Sequence, residues 1–101
     1  DDMHSRKKLM FINSDAVVLL PGGAGSLDEF FEVLTWAQLG LHNRPIIVAN
    51  IEGYWQPMLT MLDHVIASGF ADANLRSLFC VAQTVEEIES VLRSALKTAS
   101  Q

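Results

Sequence analysis

Apolar residues along the chain fall into short unbroken runs that alternate with longer stretches of helical spacing. Ala16-Val17-Val18-Leu19-Leu20 is a run rich in β-branched residues, closed by Pro21-Gly22-Gly23. A run without polar alternation predicts a strand covered on both faces, as in a parallel sheet. Gly25-Ser26 then opens a predicted helix, in which Phe30, Val33, Leu34, Ala37 and Leu39 recur at helical spacing up to Gly40. Pro45-Ile46-Ile47-Val48-Ala49-Asn50 repeats the strand signal, and a helix is expected from about Trp55 to Ser68, closed by Gly69. Leu78-Phe79-Cys80-Val81 predicts a third strand. Thr84 caps a final helix, because Thr84-Val85-Glu86-Glu87 forms a capping box with Glu87 three residues after the cap. Ile88, Val91, Leu92 and Ala95 mark its apolar face. At the other end, residues 1–13 mix charge with Met3, Leu9, Met10, Phe11 and Ile12, and read as a helix or its C-terminal half.

This alternation predicts an α/β fold: a three-layer, Rossmann-like parallel sheet with helices on both faces and right-handed crossovers. Residues 1–101 read as one domain. Three strands make a thin sheet where a doubly wound domain has about five or six. The chain therefore reads as the C-terminal half of such a domain, with the N-terminal strands absent.

Composition narrows the classes. Of the 101 residues, 50% are hydrophobic and 19% charged, enough to bury a core and unlike a disordered tail. The formal net charge of −5 argues against non-specific nucleic-acid binding, since no basic stripe meets a phosphate backbone. One phosphate held by a few donors stays compatible with it. A single cysteine, Cys80, rules out a disulfide within the chain and a cysteine-rich metal site. Its apolar surroundings predict a buried strand thiol rather than a nucleophile. No signal-peptide pattern opens the sequence and no apolar run reaches membrane-spanning length, so a cytoplasmic protein with no membrane partner is expected. The chain opens at Asp1 rather than Met, for which processing, trimming or proteolysis is the expected reason.

The segment richest in chemistry is Pro21-Gly22-Gly23-Ala24-Gly25-Ser26-Leu27-Asp28-Glu29. It lies between a predicted strand and a predicted helix. Its glycines let the backbone turn tightly and approach a ligand. The helix start adds unpaired N–H groups and the positive end of the macrodipole, which suit a phosphate. The segment lacks the Gly-Lys-Ser/Thr of a Walker loop and the G-x-G-x-x-G dinucleotide fingerprint. A phosphate or other anion is the favoured reading here, and a tight strand-to-helix turn without a ligand is the plainer alternative. Glu29 has two readings as well. Ser26-Leu27-Asp28-Glu29 is itself a capping box, in which Glu29 would reach back to the cap; alternatively Glu29 is a carboxylate one turn from a phosphate, beside a ribose. Asp28 and Glu32 read as solvated surface acids.

A second segment, Met3-His4-Ser5-Arg6-Lys7-Lys8, concentrates basic charge in an acidic chain. By itself it reads as a solvated helix end, though the Arg6 guanidinium suits phosphate or ribose oxygens. His4 has no partner at metal-ligand spacing. His42 and His64 fall in a loop and a helix without evident chemistry.

Together the two segments resemble the LONELY GUY family of cytokinin riboside 5′-monophosphate phosphoribohydrolases. Pro21, Gly22, Gly23, Gly25 and Glu29 match its P-G-G-x-G-T-x-x-E signature, and Met3, His4, Arg6 and Lys7 match its upstream M-H-x-R-K. The Trp-Ala-Gln-Leu-Gly helix end, the Arg-Pro-Ile strand and the Gly-Tyr-Trp turn extend the likeness over nearly the whole chain. Ser26 stands where the family has Thr and keeps the hydroxyl. Many bacterial relatives carry an older lysine decarboxylase label, but no segment here resembles a pyridoxal-phosphate lysine motif. The N-terminal half, which supplies a further glycine-rich loop and much of the base pocket in the family, is the larger departure.

The resemblance implies hydrolysis of the base–ribose bond of a nucleoside 5′-monophosphate, such as AMP or a cytokinin riboside monophosphate. Arg6 and Glu29 would be catalytic, with Lys7, Gly22, Gly23, Gly25 and Ser26 holding phosphate and ribose. No metal or redox cofactor is implied, and family members assemble as homodimers or larger homo-oligomers. Two other classes compete. One is a nucleotide-binding module without chemistry; the other is a self-associating fragment, whose half-sheet would expose unpaired backbone groups on one flank.

Overall fold

The computed structural model describes residues 10–12 and 16–99. Four strands form one sheet in the order β1 (Met10–Ile12), β2 (Val17–Leu19), β3 (Ile46–Ala49) and β4 (Cys80–Ala82). β2, β3 and β4 are parallel, with Val17, Val18 and Leu19 opposite Ile46, Ile47 and Val48, and Ile47, Val48 and Ala49 opposite Cys80, Val81 and Ala82. Helices α1 (Ala24–Gln38), α2 (Gln56–Ala67) and α3 (Val85–Ala99) follow β2, β3 and β4 in turn. Short 3-10 turns at Ile51–Gly53 and Ala73–Leu78 complete the connections.

Side chains of a strand alternate between faces, and that alternation sorts the core. Val17, Leu19, Ile46 and Val48 pack with Phe30, Val33 and Leu34 of α1 and with Met58, Leu59 and Leu62 of α2. Val18, Ile47, Ala49 and Ala82 face the other way, against Ile88 of α3 and the half-buried Val91 and Leu92. Two helices thus cover one face and a single helix the other. This is the expected three-layer α/β arrangement, and it explains why β2 and β3 are buried at every position.

Helix ends follow from local sequence. α1 and α2 both stop at a glycine with left-handed backbone, Gly40 at φ 77° and Gly69 at φ 85°. Gly40 N–H donates to Ala37 and Leu41 N–H to Trp36, while Gly69 N–H donates to Ile66 and Phe70 N–H to Val65. Both are Schellman ends, which close the last free carbonyls of a helix. Thr84 caps α3 as expected, accepting from Glu87 N–H at 3.1 Å. The Glu87 carboxylate takes the N–H of Gln83 at 2.6 Å, one residue before the cap.

Three expectations are corrected. Met10–Ile12, read as part of a helix, is a strand antiparallel to β2. Met10, Phe11 and Ile12 stand opposite Leu19, Val18 and Val17. One flank of β2 is thereby paired by β1 and the other by β3. Cys80 is exposed rather than buried; the residue that enters the core is Phe79, and the lone helix α3 leaves the first residue of β4 uncovered. Finally, the cap of α1 is Gly23, with no side-chain cap hydrogen bond. The cap lies three residues before Ser26, so Ser26 is the third residue of the helix rather than its cap.

Candidate active site

Loops that leave the carboxyl ends of parallel strands gather at one edge of a sheet, where α/β proteins bind ligands. Here those loops are Pro21–Gly23 after β2, the Asn50–Trp55 segment after β3, and Gln83 after β4. The glycine turn enters α1 directly. Leu27 N–H makes the first helical bond, to Gly23 carbonyl at 3.1 Å, so the N–H groups of the residues just before it precede the ladder. Gly22, Gly23 and Gly25 are half-buried, whereas Ser26 is completely buried beneath the turn.

Asn50 organises the loop after β3. Only 1% exposed, it donates its N–H to Ala82 carbonyl at 2.8 Å and accepts the Trp55 N–H on its side-chain oxygen at 2.7 Å. Its amide nitrogen makes longer contacts of 3.5 Å to Gln56 and Gln83. The turn between contains Glu52 at φ 52°, a left-handed position that costs a non-glycine residue conformational energy, followed by Gly53 at φ 72°, which glycine adopts freely. Trp55 and Tyr54 meet edge to face, with centroids 4.9 Å apart, and the Tyr54 hydroxyl donates to Gly22 carbonyl. The loops after β2 and β3 are thereby joined. The buried Trp55 indole nitrogen has no acceptor among the described residues.

Asn50→Ala is expected to strip the Trp55 N–H of its acceptor inside the protein. The loss should be about 2 kcal/mol, lowering the thermal midpoint by roughly 10 °C. A calorimetric midpoint unchanged by the substitution would remove Asn50 as the anchor of this loop.

Gly22 and Gly23 line a cleft of about 480 Å³ with Leu27, Phe31, Tyr54 and Met58. Glu29 is not among its walls. On a helix at about 100° per residue, Glu29 lies about 200° from both Leu27 and Phe31, on the opposite flank of α1. The glycine turn thus heads two flanks, an apolar one and one carrying half-buried Glu29. Asp28 and Glu32 are exposed, as expected of surface acids. Arg6 and Lys7 lie outside the described residues, as does His4. His42 has a structural part: its Nδ1 accepts Arg44 N–H at 3.1 Å, so Nε2 carries the proton and donates to Val33 carbonyl at 3.0 Å. His64 is exposed. Among the described residues no three His, Cys, Asp or Glu side chains gather as a metal site, and no helix is long and apolar enough to cross a membrane.

Sequence reasoning passed over Asn50 and Tyr54 as site residues. Asn50 had a signal: a polar residue closing an apolar strand at the carboxyl edge of a parallel sheet must find buried partners.

Comparison with known proteins agrees with the motif reading. A family model described as possible lysine decarboxylase matches residues 1–92. A cytokinin riboside 5′-monophosphate phosphoribohydrolase of Arabidopsis thaliana is 44% identical over 87 residues, which are 86% of this chain and 40% of that protein. One of Rhodococcoides fascians is 44% identical over 93 residues, or 92% of this chain and 47% of its own length. A probable one of Oryza sativa subsp. japonica is 40% identical over 94 residues, 93% of this chain and 41% of the relative. The chain spans less than half the length of these relatives. The chain belongs to the possible lysine decarboxylase family, on the branch that resembles the LONELY GUY phosphoribohydrolases.

Proposed function

We propose that the protein hydrolyses the N-glycosidic bond of a nucleoside 5′-monophosphate, AMP or a cytokinin riboside monophosphate. The observation that carries this reading is the glycine turn: it brings the N–H groups of Gly22, Gly23 and Gly25 to the carboxyl end of β2, ahead of the first helical bond at Leu27, and Glu29 follows about one helical turn later. The names of its relatives support the same chemistry.

The phosphate is held at the start of α1 by the N–H groups of Gly22, Gly23 and Gly25, with Ser26 at the back of the cradle and Lys7 adding charge. Water adds to C1′ as the bond from C1′ to the base nitrogen breaks. The water proton ends on the departing base, giving free base and ribose 5-phosphate. Positive charge builds on the ribose ring as that bond lengthens. The Glu29 carboxylate stabilises this charge and orients water or the ribose hydroxyls, while Arg6 fixes the nucleotide and assists the leaving base. The reading includes a homodimer or larger assembly in the cytoplasm; the exposed Trp36, Leu39, Leu41 and Phe70 support association.

The test is chromatography of AMP incubated with the protein. Adenine and ribose 5-phosphate should appear in equal amounts. Binding of AMP that is recovered intact would replace this reading with that of a nucleotide-binding module.

A further inference from the structure

The two loops joined by Tyr54 carry a consequence for the phosphate cradle. Gly22 carbonyl and Gly23 N–H belong to one peptide unit, and no cis peptide bond occurs among the described residues. In a planar trans peptide these groups point in opposite directions. The Tyr54 hydroxyl holds Gly22 carbonyl on one side, which aims Gly23 N–H to the other. Among the described residues nothing lies within 4 Å of where a side chain on Gly23 would start, which leaves room there for a ligand. A glycine turn left to itself would populate several orientations of this peptide.

Tyr54 can serve as a latch because its own backbone is held. Tyr54 N–H donates to Ile51 carbonyl at 3.0 Å, and the next N–H, of Trp55, is fixed on Asn50 at 2.7 Å. The neighbouring indole is 4% exposed and braces the Tyr54 ring edge to face, while Tyr54 itself is 50% exposed. The hydroxyl is therefore delivered from a rigid base.

We infer that Tyr54 is a positioning residue that orients the Gly23 N–H toward the phosphate of the substrate. This rests on the phosphoribohydrolase reading above, and concerns the phosphate-bearing part of the ligand alone. Tyr54→Phe removes the hydroxyl and keeps the ring. Ribose 5-phosphate and adenine serve as separate probes, titrated into ¹⁵N-labelled protein while the Gly23 amide resonance is followed.

In the unsubstituted protein, ribose 5-phosphate should shift the Gly23 amide. In Tyr54→Phe its affinity should fall about fivefold, the loss of one hydrogen bond's worth of preorganisation. The KM for AMP should rise by a similar factor with kcat nearly unchanged, and affinity for adenine should stay as it was. Undiminished affinity for ribose 5-phosphate in the folded variant overturns the latch and leaves the phosphoribohydrolase reading standing. An equal loss for adenine also overturns it, since general loosening of the site is then sufficient. If the unsubstituted protein binds no ribose 5-phosphate, the phosphate cradle itself fails and the latch with it.

Discussion

Glu29→Gln is expected to lower kcat for adenine release from AMP by about a hundredfold or more, with a small change in KM. Gln is nearly isosteric and retains hydrogen-bonding capacity, so the ground-state complex should survive. What it loses is the negative charge, and charge is what a developing oxocarbenium ion needs. The residue sits in the second turn of α1, within a helix whose next residue, Phe30, is completely buried. Its backbone is thus fixed relative to the glycine turn, and a fixed charge costs no reorganisation in the proposed reaction. Asp28→Asn is the matched control, being adjacent in sequence and exposed; it should leave the rate within about twofold. Steady-state kinetics on both variants decides the matter. A Glu29→Gln enzyme with an unaltered rate would remove Glu29 from the chemistry.

The largest effect on stability is expected at Phe30. It is 0% exposed, lies 5.4 Å from the Phe31 ring and 5.8 Å from the Phe79 ring, and joins α1 to the sheet and to the segment before β4. Phe30→Ala should cost about 3–5 kcal/mol, through lost burial and the cavity left behind. Domains of this size have a total stability of about 5–15 kcal/mol, so the variant stands near the edge of folding. Phe30→Leu keeps most of the volume and should cost about 1.5 kcal/mol or less. Urea midpoints compare the two. A Phe30→Ala cost below about 1 kcal/mol would mean that this part of the core closes over the gap, against the close packing assigned to it.

Much of this arrangement was readable in the amino-acid order because continuous apolar runs have few solutions. Val17-Val18-Leu19 and Ile46-Ile47-Val48-Ala49 carry no polar alternation, and only cover on both faces suits them. The Thr84 cap was legible for a similar reason, since its hydrogen bonds are local. The errors came where a neighbour distant in sequence decides. Met10-Phe11-Ile12 is too short to declare a period, and its pairing with β2 settles its state. Cys80 sits in an apolar run, yet its exposure depends on how far α3 extends across the sheet. The Ser26–Glu29 pattern satisfied a capping rule that Gly23 had already made unnecessary. For the site, the glycine turn and Glu29 were visible as a motif. The flank that Glu29 occupies, and the Asn50–Tyr54 support behind the turn, arise from folding β2 and β3 side by side.

The tie between Tyr54 and Gly22 also bears on how such a protein can be altered. Substrate preference in α/β enzymes is usually changed by lengthening or exchanging one edge loop at a time. Here the loop after β3 does not end at its own boundary: Asn50 roots it and Tyr54 fastens it to the glycine turn. A graft that replaced residues 50–55 alone would release the neighbouring turn as well. Residues 21–25 and 50–55 therefore form one module, to be moved into another scaffold, or varied by selection, as a pair.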